Sequence, residues 1–397
     1  MKKVCVVTAT RAEYGLLKPV IQGLFKEPEL ELNLLVTGAH LSKNQGYTVE
    51  EIEKDGFPIA KRIPMELSDT SPIALNREMA VLQTEAGIFF AETKPDFLLL
   101  LGDRYEIMSI AVAAMMCRIP IGHIHGGETT EGAIDEAIRH AITKMSYLHF
   151  TSIPEYRKRV IQLGEAPERV FAVGALGVEN IRKMALLSEE EIRKVLQIEK
   201  GQPYGMVTFH PVTLETGGAE QQLKELMEAM KIEDGLEYVV TFANADAGGN
   251  ELNQLWKKFA AANDHVHLFA SLGAKNYLSA MKYADMVMGN SSSGILEAPS
   301  FQLPVINIGD RQKGRLQADC VINCEPVAEE IRKAMEWGRS REFQEKLRLV
   351  ENPYGKGDTS TQIIARVKEY LKKDRINLKK SFYNVEFEIE KTDENLR

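Results

Sequence analysis

The sequence predicts an α/β protein made of two doubly wound, Rossmann-like units with a central cleft. Two observations predict it. Short, continuous apolar runs alternate with amphipathic stretches along most of the chain. The series breaks once, at a charged, helix-rich segment from Val178 to Gly201, and then starts again. Strands that read as unbroken apolar runs are buried on both faces, as in parallel sheets covered by helices.

In the first series the strands are expected at Val4–Thr8, Leu32–Val36, Phe97–Leu101, Ile119–His123, His149–Thr151 and Val170–Val173. Helical patterns lie between them at Leu16–Lys26, Ile73–Thr93 and Tyr105–Met116. In the charged segment, Ser188 followed by Glu190 and Glu191 has the form of a capped helix start. The second series runs through Tyr204–Phe209, Tyr238–Phe242, Val266–Phe269, Met286–Met288 and Val305–Ile308. Asp358–Lys372 reads as a closing helix with Asp358 as its cap. The expected division is 1–175 and 176–357, with the helix at about 358–372 packing back on the first unit. Residues 373–397 form a polar tail, or an extension packed on a neighbour.

A chain of 397 residues is long enough for two cores, and 44% hydrophobic with 27% charged is the composition of a soluble globular protein. With net charge −8 and no Lys/Arg stripe, neither nucleic acid nor an anionic membrane is expected as a partner. Cys5, Cys117, Cys320 and Cys324 are scattered, which suggests reduced thiols in a cytoplasmic protein and no structural zinc. The apolar start at Val4 stops before Arg11, so it reads as a strand and not as a leader. The least polar stretch, Ile107–Cys117, is too short to span a bilayer.

Function in such folds gathers at the strand ends. The most informative is Met288–Arg315, where a strand ends in Gly289-Asn290 and is followed by Ser291-Ser292-Ser293. Hydroxyls beside free backbone N–H groups suit an anion, and Glu297 suits a ribose diol. A second strand in the segment ends in Gly309-Asp310-Arg311, returning a guanidinium to the same edge. Together these suggest a nucleoside-diphosphate ligand. Arg11 follows the first strand without a GxGxxG loop, so no dinucleotide cofactor is expected. Asp103 and Arg104 follow Phe97–Leu101, where Asp103 can act chemically, cap the next helix, or both. His123-Ile124-His125-Gly126-Gly127-Glu128 has H-x-H spacing, but no further ligand cluster accompanies it and no metal is expected. Asp135 and Arg139, spaced i, i+4, share a helix face beyond the Gly-Gly turn. His210 directly follows Tyr204–Phe209, and Asn244 follows Tyr238–Phe242.

Taken together, Thr10–Gly15, Leu101–Glu106, His123–Glu128, Asp135–Met145, Phe209–Pro211 and Gly289–Arg315 resemble the hydrolysing UDP-N-acetylglucosamine 2-epimerases of bacterial sialic acid synthesis. The similarity covers roughly residues 1–372. It implies a glycosyltransferase-B type fold and a cytoplasmic homodimer or dimer of dimers. The implied reaction converts UDP-N-acetylglucosamine to N-acetylmannosamine and UDP without cofactor or metal. The resemblance implies that Arg11, His210, Asn244, Ser291, Ser292, Glu297 and Arg311 hold UDP. Asp103, the His125–Glu128 turn and Asp135 would surround the sugar, with Arg104 and Arg139 counted as substrate-binding. Many relatives carry a catalytic glutamate where His125 stands, so whether His125 or Glu128 takes that role is open; Glu128 is the favoured choice for charge stabilisation. The same chemistry on a 2,4-diacetamido-6-deoxy sugar nucleotide, a non-hydrolysing epimerase, a glycosyltransferase and a non-catalytic sensor are the alternatives.

Overall fold

The computed structural model describes residues 1–69, 71–130, 134–211, 218–232, 235–243, 249–355, 357–372 and 377–386. Seven parallel strands form the first sheet: Lys2–Thr8 (β1), Leu30–Thr37 (β2), Ile59–Ile63 (β3), Phe97–Leu101 (β4), Ile121–Ile124 (β5), Leu148–Thr151 (β6) and Val170–Ala172 (β7). Six more form the second: Tyr204–Thr208 (β8), Glu237–Thr241 (β9), Val266–Phe269 (β10), Met286–Gly289 (β11), Val305–Ile308 (β12) and Val321–Cys324 (β13). Helices cover both faces of each, in the glycosyltransferase-B-like arrangement of two Rossmann-type sheets about a central cleft.

The first sheet runs in the order β3-β2-β1-β4-β5-β6-β7 and the second β10-β9-β8-β11-β12-β13. All strands stay parallel, but the order in which they are added across the sheet reverses between β1 and β4 in one sheet and between β8 and β11 in the other. The loops leaving two such strands part to opposite faces and open a crevice at their carboxyl ends. Thr10-Arg11 and Gly102-Asp103 leave the first switch point, and Phe209-His210 and Asn290-Ser291 leave the second.

The edge strands β3 and β13 were not expected from the sequence. In β3, Ala60 and Arg62 are less buried than the core strands' residues, and β13 is largely half-buried, so neither carries a continuous apolar run. β5 starts at Ile121, two residues later than expected, after Pro120. The first helix begins at Arg11, earlier than expected, because Thr10 and Glu13 form a reciprocal capping box. The predicted cap at Ser188 exists and is also a full box, with Glu191. Asp358 occupies the N-cap position of Thr359–Leu371 but its side chain accepts no capping hydrogen bond.

The Thr359–Leu371 helix packs through Ile363, Ile364, Val367 and Tyr370 into the core of the first sheet. Gly23 makes this approach possible, since a Cβ there would lie 2.3 Å from Ile364. Beyond it, residues 377–386 return to their own chain. Lys380 donates to both oxygens of buried Glu165 at 2.9 Å, Phe382 covers Gly164, and the Tyr383 amide donates to the Gly164 carbonyl. Among the described residues, no helix is long and apolar enough to cross a membrane.

Candidate active site

Two glycines set the backbone on which the site is built. At Gly127 φ is +80°, and a Cβ would meet the Tyr156 carbonyl at 2.5 Å; at Gly289 φ is +120°, and a Cβ would fall 2.0 Å from the Thr208 carbonyl. Neither position accepts another residue without moving the backbone. The first shapes the turn carrying His125 and Glu128, and the second presses the end of β11 against β8 beside His210.

On the first sheet's edge, Arg139 is the organising residue. It lies on the Ile134–Met145 helix and is 2% exposed. Its Nε and Nη2 both donate to Asp103 Oδ2, the former at 2.8 Å. Nη1 donates to the Glu128 carbonyl at 2.8 Å and to Glu136 at 2.9 Å, while Nη2 also reaches the Thr130 hydroxyl at 2.7 Å. All five of its N–H groups are engaged by the protein, which suits a residue that positions Asp103 and the 126–130 turn. Asp135, one turn earlier on the same helix, is half-buried. Asp103 is not a helix cap: the helix starts at Tyr105 with Arg104 at the cap position and no side-chain cap bond.

Arg104 turns to buried Glu106, donating from Nε and Nη2 at 3.1 Å each. Glu13 lies in the same electrostatic neighbourhood and accepts from the Ala9 amide at 2.7 Å. Burial pushes Glu13 up to about 7 in spite of that bond and of Arg104. Arg104 thus balances two acidic groups, Glu13 from the helix after β1 and Glu106 from the helix after β4.

His123 and His125 separate. His123 ends up inside, between the Thr143 hydroxyl (3.1 Å) and the Gly102 carbonyl (2.8 Å). His125 lies past the end of β5 with φ +66°, and its Nδ1 is 3.7 Å from Glu128 Oε1. Its Nε2 is buried without a hydrogen-bond partner, a polar atom left for a ligand to satisfy. Glu128 is 5% exposed and accepts from the Ser152 hydroxyl at 3.2 Å. Burial alone would raise its pKa; His125, Arg315, Arg139 and the Ser152 bond outweigh that and hold it below the usual carboxylate range. His125 is held below its ordinary value, chiefly by burial, against the pull of Glu128 and Asp103.

On the second sheet's edge, Asn290 is the counterpart of Arg139. Its amide accepts from the His210 backbone at 2.7 Å and donates to the His210 carbonyl at 2.8 Å. Its own carbonyl accepts from Arg311 at 3.1 Å and Gln312 at 2.9 Å. Burial, then Arg311, lowers His210 to about 3, so it is neutral at physiological pH. Ser291 caps the Ser292–Leu296 turn, and Tyr277 bonds to Ser293 at 2.6 Å. Glu297, at the end of that turn, is pushed by burial up to about 7. Gly177 packs beside it, where a Cβ would be 3.4 Å from Oε1. Asn244 lies outside the described residues.

The two edges meet. Arg11 donates from its guanidinium to the Ser271 hydroxyl across the cleft. Arg315 brings Nη2 to 3.6 Å from Glu128 Oε2, and the Thr129 hydroxyl donates to the Gly314 carbonyl at 3.1 Å. Sequence reasoning missed Arg315, Ser152, Asn290 and Ser271 as participants. Only Arg315 and Asn290 had a signal, since they lie in the segment already singled out.

Known proteins bear on this geometry. Residues 22–368 match the family described as UDP-N-acetylglucosamine 2-epimerase. The chain is 40% identical over 87% of its length, and 89% of the other, to a protein of Campylobacter jejuni named GDP/UDP-N,N'-diacetylbacillosamine 2-epimerase (hydrolyzing). It is 38% identical over 97% of its length to the Escherichia coli polysialic acid biosynthesis protein P7, 98% of which is covered. In fold it is similar to a UDP-GlcNAc 2-epimerase from Neisseria meningitidis solved with UDP-GlcNAc, with TM-score 0.79 and 18% identity over 92% of this chain and all of that one.

Proposed function

The chain belongs to the UDP-N-acetylglucosamine 2-epimerase family, and from that premise we propose that it is the hydrolysing kind, converting UDP-N-acetylglucosamine and water to N-acetylmannosamine and UDP. One observation carries the proposal. A carboxylate–imidazole group (Asp103, Glu128, His125) occupies one edge of the cleft, and a serine, histidine and arginine group suited to a diphosphate occupies the other, with direct contacts between the two edges.

The chemistry needs both. The C2–H of the sugar has no adjacent carbonyl and is only weakly acidic. Cleavage of C1–O, with the bonding pair leaving on UDP, builds oxocarbenium character that acidifies C2–H. Loss of that proton to a base gives a 2-acetamidoglucal. Water then adds at C1, and a proton delivered to C2 from the opposite face gives the manno configuration. Arg11, Arg311, Ser291 and Ser292 suit the departing diphosphate, and Glu297 the ribose. Asp103 and Glu128 suit charge stabilisation near C1 and C2, with His125 as a proton carrier and Asp135 in the hydration step. Such acid–base groups are worth ~10²–10⁴-fold each, and fixed charge facing a developing cation often more.

A second reading keeps the chemistry and changes the sugar. The Campylobacter relative is named for a diacetamido sugar, which favours a 2,4-diacetamido-6-deoxy sugar nucleotide as substrate. NMR of reactions in D₂O separates the possibilities. Purified enzyme offered UDP-N-acetylglucosamine and the diacetamido analogue separately should turn over one of them, with inversion and one deuterium at C2 and with release of UDP. Inversion with the original C2 hydrogen retained would exclude elimination. A UDP-linked product would make the enzyme non-hydrolysing, and a C2-unlabelled free sugar would make it a simple hydrolase.

A further inference from the structure

The loop from Gly309 to Arg315 touches both ends of the cleft. Near its start, Arg311 and Gln312 donate to the Asn290 carbonyl, which anchors them to the end of β11 beside His210. At its far end the chain crosses to the first sheet. Gly314 accepts from the Thr129 hydroxyl, Arg315 Nε donates to the Thr129 carbonyl at 3.4 Å, and its Nη2 faces Glu128 at 3.6 Å. The Arg315 side chain is 10% exposed and that of Glu128 7%. This is a largely desolvated pair, and not the solvated surface pairing that contributes little.

Several groups surround the Glu128 carboxylate. His125 approaches from its own turn, Ser152 from the end of β6, and Arg139 holds its backbone carbonyl from the Ile134–Met145 helix. Tyr156, on the Pro154–Gln162 helix, is close enough to interact and is bonded to Tyr354 at 3.3 Å. Tyr354 in turn donates to the Leu316 carbonyl, just beyond Arg315, at 2.7 Å. Arg139 has no N–H left to follow a moving carboxylate, whereas Arg315 arrives from the other half of the molecule.

We propose that Arg315 is a positioning residue for the His125–Glu128 pair, and that the Gly309–Arg315 loop thereby links the diphosphate end of the cleft to its reacting end. The loop that presents Arg311 to a leaving diphosphate is the same seven residues that present Arg315 to Glu128. Seating one seats the other, and the pair is set for chemistry when the nucleotide is held. This rests on the function proposed above. Loss of the Arg315 charge removes one of the cations near the pair and leaves the buried Glu128 carboxylate with Arg139, the Ser152 hydroxyl and the imidazole, so His125 is protonated more readily and titrates at higher pH.

The test uses Arg315→Met and Arg315→Lys in the full-length protein. UDP binding is measured by calorimetry, kcat and KM across pH, and the His125 ring by NMR, assigned with His125→Gln. Arg315→Met is expected to bind UDP within about threefold of wild type and to lower kcat by ~10–100-fold at little change in KM. Its His125 should titrate at higher pH, and Arg315→Lys should restore part of both effects. Loss confined to UDP affinity and KM would make Arg315 a phosphate ligand and overturn the proposal. So would a His125 titration identical in wild type and Arg315→Met. That titration needs no substrate, so it decides the role of Arg315 even where wild-type enzyme fails to make the proposed product.

Discussion

Glu297 offers a quantitative test of where the nucleotide lies. Burial raises it from its ordinary 4.5 to about 7, so at neutral pH it is about half protonated. A carboxylate accepting from both hydroxyls of a ribose binds best ionised. The ionised fraction of a group with pKa about 7 is roughly a tenth at pH 6 and nine tenths at pH 8. UDP affinity should therefore rise about tenfold over that interval, or about 1.4 kcal/mol. An unshifted glutamate would contribute almost nothing there. Binding at pH 7 should release about half a proton, read by calorimetry in two buffers of different ionisation enthalpy.

The perturbation is Glu297→Gln, which keeps the shape and removes the charge. UDP brings its own titration near pH 6, but this affects both proteins alike, so the difference between them isolates Glu297. His210 does not interfere, because it is held at about 3. Equal pH slopes in wild type and Glu297→Gln would refute the reasoning: the carboxyl would then not face the nucleotide, or not be shifted.

Two further predictions concern the first sheet. Asp103→Asn removes the charge that faces Arg139; kcat should fall by at least about 10²-fold with UDP affinity nearly intact, and a kcat near wild type would leave Asp103 a purely structural partner. Burial would raise Glu165, but hydrogen bonds from His149, Lys144 and Lys380 hold it down to about 2. A depressed carboxylate stabilises the fold above its unfolded pKa of about 4.5, and that contribution, roughly 3 kcal/mol, is lost as pH falls through about 2. Lys380→Met should therefore lower stability in urea melts most at pH 7, with a gap that narrows below pH 4; a gap independent of pH would show that the lysine acts only by packing.

Most of the fold could be read from the sequence because burying a strand on both faces demands a continuous apolar run, and Phe97–Leu101 and Val4–Thr8 supply one. Ile59–Ile63 and Val321–Cys324 pair on one side only, so nothing forces their sequence to look like a strand. The site divides in the same way. Asp103 and Glu128 were visible because charged residues directly after apolar runs and glycines have few packing reasons to be there. Arg139 was visible as an i, i+4 neighbour of Asp135, yet two of its N–H groups donate to Asp103, 36 residues away. Helix spacing fixes which face a side chain occupies, but tertiary packing decides what it meets. Arg315 lies in a segment the sequence singled out, but its partner Glu128 depends on how the two sheets are set against each other, and no local pattern encodes that.

Glu128 and Glu297 show what that setting does to one side-chain type. Glu128 is buried and Glu297 half-buried, yet Glu128 is held down by His125, Arg315, Arg139 and the Ser152 bond, whereas Glu297 is driven up by desolvation. Gly177, on the Leu176–Lys183 helix, lies beside Glu297 and Leu16. Gly177→Ala would add a methyl about 3.4 Å from Glu297 Oε1 and 3.7 Å from Leu16, ordinary contacts that require no backbone shift. Inside a helix, alanine in place of glycine stabilises by roughly 0.5–1 kcal/mol. The same methyl displaces water from the carboxyl and favours its neutral form further. The variant should therefore melt at an equal or higher temperature while binding UDP more weakly at pH 7, with the pH midpoint of binding moved upward. A lower melting temperature would mean that the contact is a clash. An unmoved midpoint would mean that the ionisation of Glu297 is set elsewhere in the cleft and not by the packing of this helix against it.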